Sequence, residues 1–180
     1  TLENIEGKKY KKALSNIEKI IKKDNQEKYI LTKVNVLLLL NTPYKEIITF
    51  LNQQITESPS PSLLIERGSG YQAIYRFQDA ILDYSQAIKN AKEDSTLVKA
   101  LDCRGSLYQK IRKPELSKID YERAYKIDSN SYSVCNNFSI VLDDLGEFKR
   151  AKYLLLKLVE KDSTSFHAVM NLGFFASLRV

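Results

Sequence analysis

The feature that most constrains this chain is a period near 34 residues. Tyr10, Tyr44, Phe77, Pro114 and Phe148 stand at gaps of 34, 33, 37 and 34. Three positions after each come Ala13, Ile47, Ala80, Ser117 and Ala151. Gly68, Gly105 and Gly173 recur at gaps of 37 and 68, with Ser139 midway through the second. Asp94, Asp128 and Asp162 recur every 34 residues, each followed by serine. Agreement among several columns marks an array of repeated supersecondary units, none of which can bury its apolar face alone.

Each unit reads as two amphipathic helices. Leu64, Arg67, Gly68 and Tyr71 follow the i, i+3, i+4, i+7 spacing of one helical face. Ser60 is placed to cap that helix, and Pro61 suits its first position, where the missing N–H has no partner to lose. A second helix starts near Phe77, with Ala80, Ile81, Tyr84, Ala87 and Ile88 on one face. The glycine and alanine columns let two backbones approach closely, and aromatic and aliphatic side chains fill the remaining space.

These residues resemble the tetratricopeptide repeat family, whose pattern runs Trp-x2-Leu-Gly-x2-Tyr and then Ala-x3-Phe. Leu64-x2-Arg67-Gly68-x2-Tyr71 is followed by Ala80-x3-Tyr84. The next unit gives Leu101-x2-Arg104-Gly105-x2-Tyr108 and Ser117-x3-Tyr121. Then come Cys135-x2-Phe138-Ser139-x2-Leu142 and Ala151-x3-Leu155. Leu31, Val34, Asn35 and Leu38, then Ile47 and Leu51, make a weaker match. The resemblance implies an all-α fold, a right-handed superhelical solenoid of antiparallel helix pairs, and a single domain over residues 1–180. Its expected parts are a lone helix at 8–24, repeats near 28–60, 61–97, 98–131 and 132–165, and a terminal helix at 166–180. The family's tryptophan is absent, and Ser129 and Ser163 replace the proline that closes a unit. Pro43 and Pro114 instead fall near the starts of second helices, where proline is tolerated. The gap of 37 is expected to add a turn to the helix ending near Asp94.

Composition excludes several function classes. The formal charge is +6. It divides into ten bases against seven acids in residues 1–60, twelve against ten in 61–131, and six against five in 132–180. On that count no basic block tracks a phosphate backbone, so nucleic acid is not an expected partner. The longest apolar run, Val36 to Leu40, is far short of the about 20 residues that span a bilayer. One histidine, His167, and two cysteines exclude a zinc ribbon or a disulfide scaffold. Cys103 and Cys135 fall in amphipathic stretches and read as small apolar residues rather than a disulfide. Gly68-Ser69-Gly70 lies within a helix, Asp143 and Asp144 read as a solvated helix end, and Asn137-Phe138-Ser139 is a glycosylation match placed mid-helix. No catalytic constellation, metal site or cofactor site emerges, and the expectation is a protein that is not an enzyme. Thr1 in place of a start methionine is expected to mark a processed or trimmed chain. The compartment therefore stays open between cytoplasm and, after loss of a signal peptide, an exported or cell-envelope location.

The expected function is a noncatalytic interaction module that holds a partner peptide or helix in a concave groove. The alternative is a structural or regulatory segment of a larger protein or assembly. The resemblance places groove residues on one stripe of each first helix: Tyr29, Thr32, Val36 and Leu39; then Ile65, Ser69 and Gln72. The stripe continues through Lys99, Asp102, Ser106 and Gln109, then Ser133, Asn136, Ile140 and Asp143, and last His167, Met170 and Phe174. The lysine–asparagine pair with which similar proteins clamp a chaperone's terminal carboxylate would fall on Thr32 and Val36, so that clamp is not expected. Lys118 and Lys152 are assigned to the convex face. Two further expectations rest on spacing. Arg67 precedes Asp83 by 16 residues and Arg104 precedes Asp120 by 16, which predicts an ion pair between the helices of each unit. The apolar end of the chain predicts self-association centred on Phe175 and Leu178, because a fully buried Phe gains about 1.5–3 kcal/mol over an exposed one.

Overall fold

The computed structural model describes residues 2–57 and 59–161. The expected terminal helix at 166–180 lies outside the described residues, and so do His167, Met170, Phe174, Phe175 and Leu178. Among the described residues are nine α-helices and no strand: α1 (Leu2–Lys23), α2 (Glu27–Leu39), α3 (Tyr44–Glu57), α4 (Pro61–Ala73), α5 (Phe77–Asn90), α6 (Asp94–Lys110), α7 (Pro114–Ile127), α8 (Tyr132–Asp144) and α9 (Phe148–Lys161). The first helix starts well before the expected residue 8. The chain forms two compact units, Thr1–Gln86 and Ala87–Val180.

In the first unit, Ile30 and Val34 of α2 pack with Ile47 and Leu51 of α3 and Leu63 of α4, all nearly solvent-free. The Ser60 hydroxyl accepts a hydrogen bond from the Leu63 N–H at 3.2 Å, and Pro61 opens α4, the cap read from the sequence. Gly68 lies directly over the Tyr84 ring of α5. The second unit repeats this arrangement with Gly105 over the ring of Tyr121. Ser117, standing where the neighbouring units have Ala80 and Ala151, donates its hydroxyl to the Gly105 carbonyl at 2.7 Å. Phe138 stacks on Tyr121 at 6.2 Å between ring centres.

The expected ion pairs are present in both units and are bidentate. Arg67 reaches Asp83 through Nε (2.8 Å) and Nη2 (2.6 Å). Arg104 reaches Asp120 in the same way, at 2.8 and 2.7 Å. Arg67 also donates to the Asn52 side chain at 2.9 Å, while Arg67 and Arg104 each lie 5.8 Å from the ring of a following tyrosine, Tyr71 or Tyr108. The equivalent positions in α8 and α9 hold Phe138 and Leu154, so that repeat is apolar where its predecessors are ionic.

The long gap is accommodated otherwise than expected. α5 has 14 residues, like α3, α7 and α9, whereas α6 has 17 against 13 for α2, α4 and α8. The extra turn therefore opens α6 rather than closing α5. The cause is local. Before α8, Asp128 accepts from the Asn130 N–H at 2.9 Å and Ser131 caps the helix, so the chain turns. The matching Asp94 instead sits in the first turn of α6, where a carboxylate meets the positive end of the helix.

Four first helices end in the same reversal. Asn41, Tyr75, Arg112 and Gly146 adopt φ between 54° and 76°, at gaps of 34, 37 and 34. Each next residue donates its N–H back across the turn: Thr42 to Leu37, Arg76 to Tyr71, Lys113 to Tyr108 and Glu147 to Leu142, at 2.7–3.0 Å. These are Schellman closures, in which glycine is the unstrained choice. Arg112→Gly is expected to raise stability by about 0.5–1 kcal/mol, and Gly146→Ala to lower it by about 1 kcal/mol. Thermal melts of the two variants check both signs.

Candidate functional site

The stripe residues fall into two groups, one in each unit. On α2, Tyr29 is half-buried and Thr32 is exposed, its hydroxyl donating to the Lys28 carbonyl at 2.6 Å. Leu39 is 56% exposed, but Val36 is buried. Beside the α4 stripe the Tyr84 hydroxyl of α5 emerges, 3.3 Å from the Ser69 hydroxyl, and donates to the Gln72 side chain at 3.3 Å. The buried ring thus fixes two polar side chains at the surface. Ile65 is a correction to the sequence reading: at 1% exposed it belongs to the core and offers nothing to a partner. Its place on the stripe follows helical spacing, but its aliphatic side chain gains by burial.

In the second unit two first helices present their stripes side by side. Asn137 of α8 donates to the Asp102 carboxylate of α6 at 3.1 Å. The Asn136 amide reaches the Asn137 carbonyl at 3.4 Å, and the Tyr121 hydroxyl donates to the Asp102 backbone carbonyl at 3.3 Å. Burial, reinforced by the Asp102 charge, pushes the Tyr121 phenol well above its ordinary range, so it remains a donor. Ser106, Gln109, Asn136, Ile140 and Asp143 are all half-buried on these helices, and Lys99 is exposed. The result is a polar surface rich in amides, held in register by a side-chain bridge. Asn137 is not among the stripe residues, because stepping by three and four residues passes over it. Its signal is a spacing of 35 from Asp102, one more than the repeat.

Among the described residues no group of three histidine, cysteine, aspartate or glutamate side chains is arranged to hold a metal ion. No helix among them is long and apolar enough to cross a membrane. Cys103 and Cys135 are not joined in a disulfide, and Cys135 is buried, its thiol donating to the Ser129 carbonyl at 3.4 Å.

No protein-family model matches the sequence, and no curated protein matches it. Solved structures do. A thermophilic tetratricopeptide repeat protein of Thermus thermophilus, TTC0263, superposes with a TM-score of 0.73 at 13% identity, over 93% of this chain and 90% of that one. YrrB, described as such a protein with an unusual peptide-binding site, gives 0.69 at 16% identity, over 91% of this chain and 83% of its own. The first such domain of Spaghetti (RPAP3), solved with the HSP90 peptide SRMEEVD, gives 0.58 at 24% identity, over 65% of this chain and 90% of its own. Helix pairs, glycine-on-tyrosine packing and these superpositions agree: the chain has the tetratricopeptide repeat fold, an α-solenoid of antiparallel helix pairs.

Proposed function

We propose that this chain is a noncatalytic interaction module that holds a peptide or helix of a partner protein against the faces of its first helices. The observation that carries the reading is the Asn137–Asp102 bridge. It aligns α6 and α8 so that Lys99, Ser106, Gln109, Asn136 and Asp143 lie on adjoining helices. A partner's backbone amides and carbonyls would meet side-chain amides and hydroxyls there, and ordering them beforehand lowers the entropic cost of binding. YrrB and the RPAP3 domain, both of this fold, are described with a peptide site and a bound peptide. Thr32 and Val36 do not supply a lysine–asparagine clamp, so a terminal carboxylate is not the expected anchor.

Charge introduced on the surface tests this. Ser106→Glu and Asn136→Glu should each weaken binding of a partner isolated from the native source by about tenfold or more, as like charges or stranded polar groups do at interfaces. Melting temperatures should hardly change. The outer-face control is Lys152→Glu, since Lys152 is exposed. Lys118 is a poorer control because it pairs with Glu147, and Arg150 with Glu122, linking α7 to α9. Greater damage from Lys152→Glu than from the first-helix variants would refute the assignment.

A further inference from the structure

The positive charge of the chain is concentrated on α1. This helix carries seven lysines and three glutamates, a net +4 of the chain's +6. Gly7, Tyr10, Leu14, Ile17 and Ile21, spaced by three and four, are its half-buried side, and α1 packs on α2. Lys8, Lys9, Lys12, Lys19 and Lys23 fall on the opposite arc, with Lys11 and Lys22 on its flank, and all seven are exposed. Glu18 is drawn off that arc to Lys33 of α2, at 2.9 Å. Fifteen residues at 1.5 Å each spread the lysines along about 22 Å. Ala13 and Ile20, both exposed, edge the lysine arc.

We propose that the lysine face of α1 docks the chain on an anionic lipid surface. Three features favour a membrane over other polyanions. The flank can lie along a plane so that its exposed lysines approach it together, whereas the hollow beside it, lined by Glu18, Ile21, Lys22 and Lys33, holds a carboxylate that an acidic peptide would meet. The arc's charges are all lysine, flexible and strongly hydrated, without the arginine fork that grips single phosphates. No aromatic side chain stands on that arc to stack a base. Ile20 at the rim, 39% exposed, is placed to reach the headgroup boundary as the lysines settle. Attraction of this kind is additive over lysines and screened by salt.

The test is co-sedimentation of the full chain with phosphatidylcholine vesicles containing about 30% phosphatidylserine, a composition rich enough to attract polybasic segments. Binding is expected at low salt, to be lost near about 0.5 M salt, and to be negligible on phosphatidylcholine alone. At roughly fivefold per lysine, Lys11→Gln, Lys19→Gln and Lys22→Gln together should weaken it about 100-fold, while arginine at the same three positions should retain it. A matched loss of three charges elsewhere, Lys126→Gln, Lys149→Gln and Lys152→Gln, should cost less than about threefold if the face rather than net charge is responsible. Equal losses from the two triple variants would overturn the proposal. So would binding to neutral vesicles, or tighter binding to duplex DNA than to anionic vesicles at the same salt.

Discussion

Asp120→Ala is expected to destabilise the second unit by about 3 kcal/mol, whereas Arg104→Phe with Asp120→Leu should fall within about 1 kcal/mol of the parent. The Asp120 carboxylate is 3% exposed and held by two guanidinium hydrogen bonds. Removing it takes both carboxylate hydrogen bonds from Arg104, a charge that is itself four-fifths covered. Removing both charges together returns the site to an apolar solution that the chain already uses, since α8 and α9 place Phe138 and Leu154 at these positions, both buried. The ion pair is therefore expected to add specificity of helix pairing more than net stability. A double-mutant cycle by urea denaturation reads the difference, and a coupling energy near zero would contradict it.

Gly68→Ala should cost about 2–3 kcal/mol, although alanine is the better helix former by about 1 kcal/mol. A methyl group there would lie 2.7 Å from Cε1 and 2.9 Å from Cδ1 of Tyr84, whose ring is buried and cannot withdraw. The same change at Gly105 meets Tyr121 at 3.0 Å and should cost less, about 1–2 kcal/mol. Two other repeats show the compensating solution. Asn35 and Ser139 fill the glycine column, and their second helices carry Leu51 and Leu155 in place of tyrosine. Tyr84→Leu should accordingly restore most of the stability lost by Gly68→Ala. Chemical denaturation of the two single variants and the double variant settles it.

Much of this architecture was legible in the sequence because it rests on residues of fixed chemistry at fixed intervals. The glycine and alanine columns mark close helix approach, and the Arg–Asp spacing of 16 marks a charge that needs a partner in an apolar column. Other features left no such trace. The left-handed turn column is filled by Asn, Tyr, Arg and Gly, so its recurrence lies in backbone conformation and not in residue type. The extra turn of α6 depended on whether an Asp-Ser pair caps a turn or opens a helix, which the pair alone does not decide. Ile65 kept the stripe's spacing but not its exposure, and Asn137 reached Asp102 from just off the stripe. The lysine face was diluted by the acids counted with it in the first sixty residues. Spacing identifies which helix a residue is on more reliably than what its side chain finally touches.

Binding of a partner polypeptide on the adjoining faces of α6 and α8 is the proposed function. It is tested most directly by amide NMR of the full chain titrated with a peptide selected on it from a random display library. The expected map shows shifts concentrated on residues 99–109 and 133–143, abolished when the same peptide is added to the Asn136→Glu variant. Shifts confined to the outer helices α7 and α9, and unchanged by Asn136→Glu, would contradict the claim.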